Sequence, residues 1–136
     1  LCHYRIMTPK EMVAYWKKEA AEDVLTAESL FSTKRYLPCL FYCHLFNEKI
    51  LKALVVQATN ESSPYGHKLE RLANIAKLEL SPEQRKLLND LTAFNINARY
   101  QDYKDSLYKK ATKEYTGGYL MAAKEIYLWL KSKLLI

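Results

Sequence analysis

The stretch Leu37-Pro38-Cys39-Leu40-Phe41-Tyr42-Cys43-His44-Leu45 decides how the chain is read, because it is almost wholly apolar and the first glycine in the whole sequence is Gly66. Phe41, His44/Leu45, Leu51, Leu54/Val55 and Ala58 continue it at helical spacing. A helix is therefore expected from near Pro38 to about Ala58. A helix that is apolar on nearly every side needs neighbours on every side. This one is expected to be the most buried element of the fold.

Toward the N-terminus, Thr8-Pro9-Lys10-Glu11 has the grammar of a helix start, with Thr8 as cap, Pro9 at the first helical position and Glu11 closing a capping box. Met12, Tyr15/Trp16, Ala20, Val24, Ala27 and Leu30/Phe31 carry a first helix to about Ser32. Toward the C-terminus, residues 59–66 form one long polar loop, followed by a short helix with Leu69, Leu72 and Ile75/Ala76. Ser81-Pro82-Glu83-Gln84 repeats the capping box and opens a fourth helix through Leu87/Leu88, Leu91 and Phe94. Asn95 to Arg99 reads as a break, and Asp102–Glu114 as a fifth helix. Thr116-Gly117-Gly118 reads as a turn into a last helix with Leu120, Ala123, Ile126/Tyr127, Leu130 and Leu134.

Short connections between consecutive helices imply antiparallel neighbours. The fold class expected is all-α, an up-and-down antiparallel helical bundle of four long helices plus one or two short ones. Three glycines and four prolines are too few for a sandwich or barrel, which turns every roughly 8–12 residues. Residues 8–136 are expected to form one domain behind an N-terminal extension over residues 1–7, with Met7 a candidate natural start. Nothing reads as a signal peptide or a membrane span, so a cytoplasmic protein is expected.

Lys and Arg number 21 against 15 Asp and Glu, a net charge of +6. A surplus of this size favours an anionic partner such as RNA, a nucleotide or an acidic protein, or it simply keeps a domain soluble. It is spread along the chain rather than gathered in one stripe. Cys39 and Cys43 share a helix face in the apolar run, where free thiols pack as small hydrophobes. With Cys2 they make an odd set, and His44 beside them lacks the further ligands that a metal site needs. No phosphate-cradling glycine loop is present, and Cys43 and His44, adjacent in sequence, point to different sides of a helix. No catalytic residue and no metal ligand is therefore assigned.

From residue 20 onward the order of motifs becomes distinctive. AAEDVLTAESL (20–30) is followed by YLPCLFYCH (36–44) and by Glu48-Lys49-Ile50-Leu51-Lys52-Ala53-Leu54. Next come His67-Lys68-Leu69-Glu70-Arg71-Leu72, then Arg99-Tyr100-Gln101-Asp102, and a final helix ending Tyr127-Leu128-Trp129-Leu130. Over roughly residues 9–134 this resembles the HEPN family, small helical domains of higher eukaryotes and prokaryotes named for nucleotide binding. The family's Glu-Lys-x-x-Lys-Ala-Leu helix, His-x-Leu-x-x-Leu helix start and Arg-Tyr-Pro-Asp segment are matched in order, with Gln101 where proline is usual.

The resemblance implies two kinds of function. RNase members carry an Arg, four to six residues and then a His, brought to a cleft between two protomers. Here only Arg35 has a histidine close downstream, and eight residues separate it from His44. The RNase motif is absent. Members without it often accompany a separately encoded minimal nucleotidyltransferase, in toxin/antitoxin-type pairs, or bind nucleotides without turning them over. The resemblance thus implies a non-catalytic homodimer that takes a nucleotide (ATP or GTP) or RNA, requires no cofactor, or partners a nucleotidyltransferase. The alternatives are an RNase with a non-standard inter-subunit cleft and a helical protein-interaction module without ligand.

The nucleotide- or anion-binding candidates are Lys49, Lys52, His67, Arg99, Tyr100, Asp102 and Tyr103. Glu48 and Lys52 stand at i, i+4 and can simply pair on a helix surface; otherwise Lys49 and Lys52 lie beside the cleft as phosphate contacts. His67 is either a helix-start residue or a base. Arg99 can donate to phosphate in a bidentate way while Tyr100 and Tyr103 stack on a base, or it can pair with Asp102. Tyrosines and lysines crowd the last third of the chain, either as a stacking groove or as a subunit interface.

Overall fold

The computed structural model describes residues 6–136, so Cys2, Arg5 and most of the expected N-terminal extension lie outside the described residues. Six helices are arranged in the order α1 (Pro9–Ser32), α2 (Tyr36–Thr59), α3 (Leu69–Ile75), α4 (Pro82–Asn97), α5 (Gln101–Lys110) and α6 (Lys113–Lys131). Among the described residues there is no strand. The chain is an all-α helical bundle.

Both capping boxes form. The Glu11 N–H donates to Thr8 Oγ1 and the Thr8 N–H to Glu11 Oε1, each at 3.1 Å. At α4 the Gln84 N–H donates to Ser81 Oγ at 3.0 Å and the Ser81 N–H to Gln84 Oε1 at 2.9 Å. These two starts fix where α1 and α4 begin, each with proline just inside the cap.

Helix α2 is the axis and packs against all five others. It starts at Tyr36, slightly before Pro38, which falls in the first turn where a missing N–H breaks no helical bond. Leu40, Phe46, Ile50 and Leu51 are fully buried on it. Burying side chains of this kind contributes about 1.5–3 kcal/mol each. Ala20 and Ala27 on α1 and Ala123 on α6 are also fully buried, and their small size lets those helices approach α2 closely. Helix α2 ends at Asn60, whose φ of 57° is the left-handed stop that asparagine tolerates.

The expected turn at Thr116-Gly117-Gly118 is not a turn. The reversal comes earlier, at Ala111–Thr112, where the Thr112 side chain caps α6 by accepting from the Tyr115 N–H at 3.2 Å. Both glycines lie inside α6. Gly117 sits where a Cβ would come within 3.2 Å of Phe31 Cζ, so its role is to let α6 approach α1. The expected fifth helix accordingly stops at Lys110 instead of Glu114.

The break expected from Asn95 to Arg99 is shorter than that reading. Helix α4 continues through Asn97, and the chain bends only at Ala98–Tyr100. Beyond α6, Leu134 still packs against the small cluster of Val13, Ala53 and Val56. Gln57 holds this tail at two points, donating to the Lys133 carbonyl at 3.1 Å and accepting from the Leu135 N–H at 2.8 Å.

Candidate functional site

The site begins with two polar residues on the buried axis. His44 and Glu48 are one turn apart on α2, and both are buried. They face the extended segment leading into α3 and grip it twice. The His44 ring nitrogen Nε2 lies 2.9 Å from the His67 carbonyl, which can only accept, so Nε2 carries the proton. The Glu48 carboxylate lies 2.6 Å from His67 Nδ1, which must therefore donate.

These bonds fix both imidazoles. Burial depresses the His44 pKa below its ordinary value and outweighs the pull of the His67 carbonyl and the Glu48 carboxylate, and Arg99 nearby pushes the same way as burial. His44 is thus the neutral tautomer, with Nδ1 a buried acceptor lacking a partner among the described residues. In His67 the nitrogen held by Glu48 is Nδ1, leaving Nε2 without a protein partner among the described residues, in a side chain that is 43% exposed. The second Glu48 oxygen takes the Lys52 ammonium at 3.2 Å, and that ammonium lies 5.0 Å from the centre of the Trp16 ring.

His67 opens onto a cleft of about 440 Å³ between the approach to α3, helix α4 and the Ala98–Tyr100 bend. Its lining is Gly66, His67, Lys68, Arg71, Thr92, Asn95, Ile96, Arg99 and Tyr100. Three of these are cations and none is a carboxylate. Thr92 holds the two walls together, accepting from the Leu69 N–H at 3.1 Å while donating to the Leu88 carbonyl at 2.9 Å. Gly66 has a φ of +137°, open in practice to glycine alone, and a Cβ there would come within 3.3 Å of Arg71 Nη1. That guanidinium is steadied by the Tyr65 carbonyl at 3.1 Å. Asn95 is 4% exposed and its Oδ1 has no hydrogen-bond partner among the described residues.

Of the residues singled out from the sequence, the cleft gathers three: His67, Arg99 and Tyr100. Lys49 and Lys52 lie elsewhere on α2. Lys49 pairs with Asp23 of α1 at 2.6 Å, and Lys52 is engaged by Glu48 and Trp16. Asp102 and Tyr103 are exposed on α5, and Tyr103 lines a separate cleft with Asp90 and Lys110. Arg99 makes no ion pair with Asp102. The Glu48–Lys52 pair exists, but Glu48 is 4% exposed, so it is not a surface pair.

Sequence reasoning misses Lys68, Arg71, Asn95 and the central position of Glu48. Lys68 and Arg71 stand inside the quoted His67–Leu72 motif, so a signal for them is present. Asn95 carries none, because its place on the cleft depends on where α4 ends. Cys39 and Cys43 are buried free thiols: Cys39 donates to the Ala27 carbonyl at 3.3 Å, and donation to the Cys39 sulfur together with burial pushes the Cys43 thiol up. Among the described residues no cluster of His, Cys, Asp and Glu could hold a metal ion, and no helix is long and apolar enough to cross a membrane.

Comparison with known proteins agrees with this architecture. No curated protein and no solved structure gives a significant match. The family model described as HEPN domain matches residues 13–133, which takes in part or all of every helix from α1 to α6. The chain belongs to the HEPN domain family.

Proposed function

We propose that this HEPN domain binds a nucleotide in the cleft beside α3 and α4 and does not turn it over. The observation that carries this reading is the lining: Lys68, Arg71 and Arg99 bring positive charge, and no carboxylate opposes them. Guanidinium groups suit phosphate because their donors match two of its oxygens at once. Tyr100 is 60% exposed at the rim, where its ring is free to stack on a base. Membership of a family named for nucleotide binding supports the same reading.

ATP or GTP is the expected ligand, with no further cofactor. A thermal-shift titration against ATP, GTP, CTP and UTP tests it. A ligand at 100 times its dissociation constant adds about 2.7 kcal/mol to the folded state, which raises Tm by several degrees. No shift with any nucleotide contradicts the proposal. The accessory role beside a separately encoded nucleotidyltransferase, in a toxin/antitoxin-type pair, belongs to the same proposal. So does a homodimer, for which the exposed Leu25, Met121 and Leu128 offer apolar surface.

A second reading, RNase activity, is favoured by one observation. Glu48 orients His67 so that its free Nε2 shares the cleft with Arg99. An imidazole held this way can take a proton from a ribose hydroxyl while a guanidinium stabilises the phosphoryl charge. Cleavage of a labelled RNA that is abolished by His67→Ala would select this reading over the first.

A further inference from the structure

The cleft does not end at Arg99. Arg99 also lines a second, smaller cleft of about 240 Å³ at the same bend, together with Leu37, Pro38, Phe41, Ala98 and Lys104. The two clefts therefore share one cationic residue, Arg99. Each has an aromatic ring, Tyr100 in the first and the half-buried Phe41 in the second, and each has a further cation, Lys104 serving the second. Neither is lined by a carboxylate. Arg99 and Lys104 make no ion pair or side-chain hydrogen bond within the described residues, so both charges are available to a ligand.

The geometry points to a ligand with two nucleosides joined through phosphate, the linkage lying on Arg99, one base against Tyr100 and the other on the apolar floor of Leu37, Pro38 and Phe41. This rests on the nucleotide-binding reading above and extends it to a second subsite. Its physical basis is the position of the charge. A site built for one mononucleotide would place its shared cation at one end of a single pocket, facing solvent beyond it. Here an apolar floor and a fresh cation lie beyond it instead. A stacked base is worth about 1–3 kcal/mol, so a filled second subsite strengthens binding appreciably. The same chemistry is offered by a free dinucleotide or by one step of a longer RNA strand.

Calorimetric titration of the whole chain with AMP, with the dinucleotide pApA and with hexa-adenylate tests this. We expect pApA to bind about tenfold more tightly than AMP, the second nucleoside being tethered to the first. Lys104→Glu, on an exposed side chain, is expected to erase that gain and leave AMP binding within about twofold of wild type. Phe41→Leu, which keeps an apolar side chain in the half-buried position, should likewise reduce the gain by removing the ring. Hexa-adenylate no tighter than pApA assigns the site to a free dinucleotide, whereas a further gain assigns it to a strand. Equal affinity for AMP and pApA, or a Lys104→Glu loss that falls equally on both, overturns the second subsite while leaving the first standing. If neither AMP nor pApA binds, the second subsite falls, and the first stands or falls with the ATP and GTP titration.

Discussion

Glu48 Oε1 lies 2.6 Å from His67 Nδ1, joining the most buried helix of the bundle to the loop that forms one wall of the cleft. The bond ties the candidate cleft to the core. The same carboxylate that keeps Lys52 against Trp16 also sets which nitrogen of His67 is left open. One turn earlier, His44 holds the backbone of His67, so the segment is gripped by both its main chain and its side chain.

Replacing Glu48 by Ala strands Lys52 and frees His67. Breaking a fully enclosed pair costs about 3–5 kcal/mol. Here His67 is 43% exposed and Lys52 15%, so water recovers part of the loss and about 2 kcal/mol is expected. Urea denaturation measures it. His67→Ala should cost less, because it removes only one of the partners of Glu48.

His44 makes stability depend on pH. Its folded pKa lies below the ordinary value of 6.5, so the unfolded chain takes up a proton first as pH falls. The contribution is complete above about pH 6.5 and is lost progressively as pH drops toward the lower folded value. Urea midpoints measured between neutral and mildly acidic pH should decline in the wild type. His44→Gln, which can still donate to the His67 carbonyl, should decline less over the same window.

The two adjacent glycines of α6 should respond differently to alanine. Nothing lies within 4 Å of a Cβ on Gly118, so Gly118→Ala should gain up to about 1 kcal/mol of helix propensity and raise Tm. At Gly117 the same gain is opposed by the 3.2 Å approach to Phe31, and Tm should rise less or fall. Were Gly117-Gly118 a turn, alanine at Gly118 would give no such gain.

Gly66→Ala should lower stability by about 1–3 kcal/mol, because φ +137° is strained for any residue with a Cβ. It should also weaken nucleotide binding, since the added carbon presses on the Arg71 guanidinium. Thermal melts with and without ligand separate the two effects.

Much of the fold is legible in the sequence because its signals are local. Thr8/Glu11 and Ser81/Gln84 name two helix starts, and the apolar run from Leu37 names the axis. Gly117 defeats the same logic, since a glycine chosen for close packing looks, in sequence, like one chosen for a turn. The cleft is only half legible. His67 and Arg99 stand out, but they lie far apart along the chain, and only the packing of α3 on α4 brings them together. The i, i+4 spacing of Glu48 and Lys52 suggests a pair on a helix surface. Yet Glu48 comes one turn after His44 and precedes Leu51 and Val55 on the same helix side, and that register marks it as buried.

Whether Arg99 serves a nucleotide cleft is decided by calorimetric titration of ATP into the wild type and Arg99→Ala at two salt concentrations. Arg99 is exposed and has no salt bridge among the described residues, so the variant should melt within about 0.5 kcal/mol of wild type. Saturable one-site binding is expected in the wild type, weaker at higher salt, with a loss of about tenfold or more in the variant, as when a charge-assisted hydrogen bond is removed. Equal affinity in the two proteins, or no binding in the wild type at either salt, would show that Arg99 does not hold a nucleotide there.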